Sequence, residues 1–577
     1  MILPQLTYLA SICANSGITE AILSPGSRSA PISLAFIRHP DIHCRIIPDE
    51  RSAAFIAMGI AQQRNKPVVL ICTSGSAALN YGPAIAEAYY QQIPLLVLTA
   101  DRPPEWIEQW DGQTIRQDNL YSAFIKSSYV FPDEVLHPDK LWHAKRITKE
   151  AINITHEAPM GPVHINIPLR EPFYPNQEEQ YPFEITDLEP DLDQHQTSTS
   201  LKEESVIQVI TELKKYRKIL ILVGQQRPDK QIRALLKTIA ENHQAVVVTD
   251  VISNMSQECT IEHHDFFLGK PSNEMAPDLH HDFFLGKPSN EMAPDLMISF
   301  GKSIISKALK LFLRKSDTAH WHIQAQGQVP DTFQHLNQII RLHPATFLDF
   351  FQKETKAVDS VFENEWLKKN KSIKNILPKT LEKAPFGELK ALDNVLKSLP
   401  NYGKIHIANS MAIRNVNFLG LSGDDLEIIC NRGTSGIDGS NSTAVGCTFT
   451  TKEPVVLLTG DMAFFYDRNA FWHQYNLPNL RIILFNNHGG GIFRMIDGPA
   501  ALPEMVEYFE THQKLDGSNL AREFGFQYHL AQNMEELQTA LSDFFHTSIN
   551  AKLLEIKTDS ETNTKALKMI KEALSGD

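Results

Sequence analysis

Two apolar runs in the last third of the chain stop on polar groups: "EPVVLLTG" on Gly460-Asp461, and "LRIILFNN" on Asn486-Asn487. The residues between them suffice for one helix, a Pro-marked turn and the second strand. That is a βαβ unit, whose right-handed crossover brings both strand ends to one edge of a parallel sheet. Asp461 and Asn487 can then meet at the carboxyl edge, where open α/β sheets bind ligands. A carboxylate oxygen, a carboxamide oxygen and a backbone carbonyl from the glycine run are hard donors. They suit Mg²⁺ completed by phosphate and water, and do not suit zinc. Gly489, Gly490 and Gly491 let the backbone approach a phosphate, and the helix opened by Asp461 offers its amides to anionic oxygens. The segment reads as a holder for a metal and a diphosphate. The same residues also fit a helix cap and a closed turn. A dinucleotide site is a further reading, but no G-x-G-x-x-G opens a helix here.

Cations gather at other expected strand ends. "SPGSRSAP" presents Ser27 and Arg28, "TADRPPE" Arg102, "DGQTIRQ" Gln113 and Arg116, "NSMAIR" Ser410 and Arg414, and "NRG" Arg432. In a chain of net charge −13, this set points to anionic substrates with more than one carboxylate. Each arginine taken singly also fits a solvated surface position or a structural ion pair. "TSGSAALNYG" sets Thr73, Ser74 and Gly75 at another strand-to-helix turn.

The elements that must position these groups follow an α/β rhythm. At 577 residues the chain exceeds one hydrophobic core. Strand-like runs "EAILS", "CRIIP", "KPVVLICTS", "IPLLVLTA" and "GPVHINIP" alternate with helical stretches over 1–182. The polar segment "TDLEPDLDQHQTSTSLKEES" reads as a linker. A second set, "KILILVG", "AVVVTDV", "DLMISFG" and "AHWHIQA", falls in 200–355. After the helical stretch "ENEWLKKNKSIKNIL", a third set occupies 380–577: "GKIHIAN", "LEIICNR", "EPVVLLTG", "LRIILFNN" and "AKLLEIK". The expected fold is therefore α/β, with three open parallel-sheet domains. One oddity interrupts the second: "HHDFFLGKPSNEMAPDL" stands twice in tandem, at 263–279 and 280–296, without a difference. Two identical copies are not a solenoid. One copy is expected to pack in the middle domain and the other to loop out.

Composition sets further limits. The chain is 42% hydrophobic and 21% charged, with no apolar run long enough to cross a bilayer. "MILPQLTYLASICANSG" lacks a basic region and a cleavage-site pattern, so a cytoplasmic address is expected. Six scattered cysteines, with no C-x-x-C pair, read as small buried residues in a reducing compartment. The acidic balance argues against nucleic acid or an anionic membrane as the main partner.

"GDM…NNHGG" resembles the signature of thiamine-diphosphate-dependent enzymes, with Met462 in its third position. The resemblance implies Mg²⁺ or Mn²⁺ held by Asp461, Asn487 and the carbonyl of Gly489. It places Gly460, Met462, Ala463, Gly490, Gly491, Ile492 and Phe493, with Thr73, Ser74 and Gly75, against the cofactor. Such enzymes need a carboxylic acid on the aminopyrimidine ring. "CRIIPDERSAAFIAMGIAQ" supplies Glu50 at a strand end before an Ala-rich helix, where partial burial would favour its neutral form. In "NRGTSGIDGSNSTAVG", Ile437 is implied as the apolar wedge that bends the cofactor.

Taken together, "SPGSRSAP", "DERSAAF", "TADRPPE", "QTIRQ", "NSMAIR" and "NRGTSGIDG" are similar to the family members that join 2-oxoglutarate to isochorismate in menaquinone biosynthesis. That likeness implies Ser410, Arg414 and Arg432 on the 2-oxoglutarate-derived carboxylate. It implies Ser27, Arg28, Arg102, Gln113 and Lys307, the last from "SIISK", on isochorismate. Ala308 stands where some relatives have a second basic residue. A homodimer or homotetramer is implied, since the family builds each site from two chains. Competing readings are an acetolactate-synthase-like carboligase acting on pyruvate, and a non-catalytic thiamine-diphosphate-binding protein.

Overall fold

The structure is a computed structural model that describes residues 4–171, 203–255, 259–268, 290–421, 423, 425–495 and 501–575. Among the described residues three parallel sheets are present. The first orders its six strands β2-β1-β3-β4-β6-β5: β1 Glu20–Leu23, β2 His43–Ile46, β3 Val68–Cys72, β4 Leu95–Asp101, β5 Ser128–Val130 and β6 Val163–Pro168. The second orders five strands β11-β10-β9-β7-β8: β7 Ile219–Val223, β8 Val246–Thr249, β9 Leu296–Phe300, β10 Ala319–Ile323 and β11 Leu336–Ile340. The third orders six strands β13-β12-β14-β15-β17-β16: β12 Tyr402–Ile407, β13 Asp425–Ile429, β14 Val455–Gly460, β15 Leu480–Asn486, β16 Gln527–Ala531 and β17 Lys552–Lys557.

The central strands are near-continuous apolar runs because both faces of an all-parallel sheet are covered. Every residue of β3, β4 and β15 is buried. Each strand expected from sequence forms. The three strands that the apolar runs did not indicate, β5, β11 and β16, each close one edge of a sheet. Their mixed burial explains why: an edge strand facing water needs no continuous apolar run.

The chain divides into two compact units. One contains Met1–Gln196, Asn431–Lys452 and Ala463–Leu477; the other contains Thr197–Cys430, Glu453–Met462 and Pro478–Asp577. In the first unit the Ala-rich helix Glu50–Arg64 packs on helix Ser440–Thr448 at very short range. A Cβ on Gly59 would stand 2.3 Å from the Thr443 carbonyl oxygen, and one on Gly446 would stand 2.2 Å from that of Ile56. In the second unit Asn254 donates Nδ2 to the Ile428 carbonyl at 2.9 Å and accepts the Ile428 amide at 2.7 Å. These two bonds tie the loop after β8 to β13.

The expected linker at 186–205 lies almost wholly outside the described residues. The tandem repeat departs from its expectation, because both copies contribute to the core. His263–Leu268 of the first copy are buried, and so are Met292 and Leu296 of the second. Residues 269–289, between them, lie outside the described residues. The described parts supply different positions of the repeat: its start comes from the first copy and its end from the second. Among the described residues, no helix is long and apolar enough to cross a membrane. None of the six cysteines is joined in a disulfide; Cys13, Cys72, Cys430 and Cys447 are buried and Cys44 and Cys259 partly so.

The helix crossing gives a direct check. Gly59→Ala should lower the unfolding free energy by about 1–3 kcal/mol, the usual range for overpacking. Gly82→Ala, where a Cβ meets nothing within 4 Å, should change it by less than about 1 kcal/mol in urea unfolding.

Candidate active site

β14 and β15 are adjacent and parallel, with Gly460 opposite Phe485, so Asp461 and Asn487 leave the sheet at the same edge. The Gly489 amide donates to Asn487 Oδ1 at 3.1 Å and also reaches the Asp461 carboxylate. That shared donor brings together the three residues that the sequence singled out. Asp461 is 3% exposed; its Oδ1 accepts the Met462 amide at 2.7 Å and its Oδ2 accepts Gln513 Nε2 at 3.1 Å. Burial, reinforced by the charge of Glu388, pushes its carboxyl up to about 7 against these hydrogen bonds. Its partners among the described residues are neutral donors, with no lysine, arginine or histidine. The Gly489 carbonyl accepts the Gly491 amide at 3.0 Å and keeps a second lone pair.

Two further groups set this edge. Asn487 Nδ2 donates to Glu388 Oε1 at 2.7 Å. Gly489 and Gly490 lie against Glu510: a Cβ on Gly489 would stand 2.8 Å from Glu510 Cγ, and the Gly490 amide donates to the Glu510 carbonyl at 2.7 Å. Glu510 is in turn held by Arg494 through Nε at 2.9 Å and Nη2 at 2.8 Å. The close backbone approach at these glycines is thus to Glu510. Gly460 has no such neighbour. Met462, Ile492 and Phe493 are partly buried beside this edge, and Ala463 is buried in the first unit.

The first and third sheets share one strand order, and in each the chain reverses direction across the sheet between the first and third strands, the place where such sheets bind ligands. In the third sheet those strands are β12 and β14, which lead to Ser410 and Asp461. Ser410 has φ +69°, and its carbonyl accepts Arg414 Nη1 at 2.8 Å. In the first sheet they are β1 and β3, which lead to Ser27-Arg28 and Thr73-Ser74-Gly75. The Thr73 and Ser74 hydroxyls are buried without a hydrogen-bond partner. Gly75 donates to Gln117 Oε1 at 2.8 Å, and the backbone of Gln113, at φ +56°, lies against it. Strained backbone at Ser410, Gln113 and His488 beside these groups is the pattern of a functional site.

The remaining expected residues are placed as follows. Glu50 is half-buried in the first turn of its helix and accepts Asn80 Nδ2 at 3.4 Å. Arg28 is buried, donating Nη1 to the Leu169 carbonyl at 2.6 Å and pairing with Glu171 at 3.3 Å. Arg102 bonds the Gly112 carbonyl and pairs with Asp111 and Glu171. Glu171 therefore joins Arg28 and Arg102. Arg116 is exposed and pairs with Glu108. Lys307 opens helix Lys307–Lys315 after β9, and Ala308 is buried behind it. Ser27 is exposed, and Arg432 and Ile437 are half-buried.

Arg432 and Ile437 lie on a loop fastened by a residue that the motifs did not single out. Glu87, 1% exposed, accepts the Gly433 amide at 2.7 Å, the Thr434 amide and hydroxyl at 2.6 Å, and Gln91 Nε2 at 2.7 Å. A lone acid on the apolar helix "GPAIAEAYY" was the available signal. Glu388 and Gln513 had none, because nothing local links them to residues so far along the chain. Among the described residues, no group of three or more His, Cys, Asp or Glu is arranged to hold a metal.

Comparison with known proteins identifies the domains and the family. Residues 6–120 match the thiamine pyrophosphate enzyme N-terminal TPP binding domain, 186–407 the middle domain, and 424–555 the C-terminal TPP binding domain. The 2-succinyl-5-enolpyruvyl-6-hydroxy-3-cyclohexene-1-carboxylate synthase of Cytophaga hutchinsonii is 45% identical, with 98% of each chain covered. This chain belongs to that synthase family. The synthases of Flavobacterium johnsoniae, 37% identical over 98% of this chain and 99% of the relative, and of Porphyromonas gingivalis, 34% over 99% and 97%, are similar along the same length. The family is one of thiamine-diphosphate-dependent, carbon–carbon bond-forming enzymes, and the three-sheet α/β architecture fits it.

The Glu87 clamp is testable without substrate. Glu87→Ala removes the acceptor of three part-buried donors of the 433–434 loop and should cost about 1 kcal/mol or more in urea unfolding. Glu87→Gln, which keeps one acceptor oxygen, should cost less.

Proposed function

We propose that this chain is a thiamine-diphosphate- and Mg²⁺-dependent synthase. It decarboxylates 2-oxoglutarate and joins the remaining succinyl carbons to isochorismate by conjugate addition, forming 2-succinyl-5-enolpyruvyl-6-hydroxy-3-cyclohexene-1-carboxylate in menaquinone biosynthesis. Full-length similarity to synthases of that name supports the reading. The single structural observation that carries it is the convergence of Asp461, Asn487 and Gly489 at one sheet edge.

The residues present fit the groups the family requires. Asp461, Asn487 Oδ1 and the Gly489 carbonyl form a hard-oxygen set that would hold Mg²⁺ or Mn²⁺, and the buried carboxylate lacks a cation among the described residues. When bound, thiamine diphosphate supplies the electron sink for decarboxylation and bond formation. The chain's own residues position and balance charge. Glu50 would hydrogen-bond the aminopyrimidine ring, and Ile437 would fill the space between the cofactor's rings. Thr73 and Ser74 offer unmet hydroxyls beside Gly75. Ser410, Arg414 and Arg432 would hold the carboxylate derived from 2-oxoglutarate; Ser27, Arg28, Arg102, Gln113 and Lys307 would hold isochorismate. We take residues 1–182, 200–355 and 380–577 as the pyrimidine-binding, central and diphosphate-binding domains. The working unit would be a cytoplasmic homodimer or homotetramer, each site completed by two chains.

Product analysis tests the reaction. Protein mixed with thiamine diphosphate, Mg²⁺, 2-oxoglutarate and isochorismate should yield the named carboxylate with release of CO₂. CO₂ released from pyruvate alone would favour another carboligase on this scaffold. Glu50→Gln should keep thiamine diphosphate binding by calorimetry while turnover falls by about 100-fold or more, the scale of a lost acid–base group. Unchanged turnover would remove Glu50 from its role.

A further inference from the structure

The orientation of Asn487 is imposed from behind. Glu388 is the first residue of helix Glu388–Ser398 and is 8% exposed; its amide is pinned by Asn563 Oδ1 at 2.8 Å. Its Oε1 accepts Asn487 Nδ2 at 2.7 Å and its Oε2 accepts Asn415 Nδ2 at 3.2 Å. A carboxylate only accepts hydrogen bonds, whereas a carboxamide has one accepting end and one donating end. Glu388 therefore commands the NH₂ end of Asn487. The oxygen end is left to face the other way, where the Gly489 amide and Asp461 converge. With the amide reversed, an NH₂ group would point at the place where a cation ligand is needed.

We infer that Glu388 is a positioning residue that fixes the Asn487 carboxamide with its oxygen toward the divalent metal. The inference rests on the metal reading of Asp461, Asn487 and Gly489 proposed above. It assigns Glu388 no contact with metal, cofactor or substrate. Groups that orient a metal ligand in this way change metal affinity by about 10- to 100-fold when removed.

The chemistry of the site also supplies a conservative replacement. Glutamine at 388 would keep one accepting oxygen for Asn487 Nδ2. Its own NH₂ would find Asn415 Oδ1, a buried oxygen with no hydrogen-bond partner, once that amide turned over. Orientation would survive although the charge is gone.

The test is a titration of Mg²⁺, and in parallel Mn²⁺ followed by electron paramagnetic resonance, into the full chain saturated with thiamine diphosphate. Glu388→Ala should weaken metal affinity about 10- to 100-fold, with a circular dichroism spectrum like that of the parent. Glu388→Gln should recover affinity to within a few-fold of the parent. Equal losses in both variants would overturn the inference, because they would make charge rather than orientation the cause. Parent-like affinity in Glu388→Ala, alongside a large loss in Asp461→Ala, would overturn it while leaving the metal reading intact. No loss in Asp461→Ala would sink the metal reading, and the inference with it. If Glu388→Ala does not fold, the exchange of partners decides. Asn487→Asp should bind metal more weakly than the double variant Glu388→Gln/Asn487→Asp, where the glutamine NH₂ faces one oxygen of the new carboxylate; the reverse order would overturn the inference.

Discussion

Two buried carboxylates, Asp461 and Glu388, stand near one carboxamide with no cation among the described residues to offset them, and the edge of the third sheet is organised around that imbalance. Removing an ion from water costs several kcal/mol even after relaxation, and neutral hydrogen-bond donors return only part of it. The amides of Met462 and Gly489 and the side chains of Gln513, Asn487 and Asn415 are all spent on this pair. In the function proposed above, a divalent cation would supply the positive charge that these two acids lack. The amide of Glu388 is held by Asn563, and Gly489 packs closely on Glu510.

The topology explains why the site appears at this edge. The first and third sheets order their strands identically although their sequences do not repeat. In each, the turns after the first and third strands open where crossovers run to opposite sides, so the backbone leaves a crevice there. One sheet fills those turns with hydroxyls, a glycine and an arginine; the other fills them with a serine, an acid and, one strand further on, an amide. The same strand order thus carries different residues at the corresponding turns of the two sheets.

Much of this was legible in the sequence, for physical reasons that differ by element. Central strands announced themselves because burial on both faces demands unbroken apolar runs, as in "VVLIC" and "LLVLTAD". β5, β11 and β16 did not, because each has one edge without a neighbouring strand and mixes polar with apolar residues. Asp461 and Asn487 were readable as a pair because a βαβ crossover has a characteristic length. Glu388 was not, since its bond to Asn487 joins segments brought together by the whole sheet rather than by any local rule. The arginines show a further limit. Residue type and position suggested cations for substrates, whereas the fold shows Arg28 and Arg102 both in contact with Glu171, a pairing visible only in three dimensions.

The tandem repeat leaves a particular signature in the core. His264, buried beside Asp250, comes from the leading copy, while Met292, whose carbonyl accepts the Trp366 indole, comes from the trailing one. Because the copies are identical, excising either one, or any window of that length within the pair, yields the same shorter chain. The question of which copy is ancestral therefore has no molecular meaning. Such a shortened chain would still carry both the imidazole and the thioether, now within one repeat and 11 positions apart rather than 28.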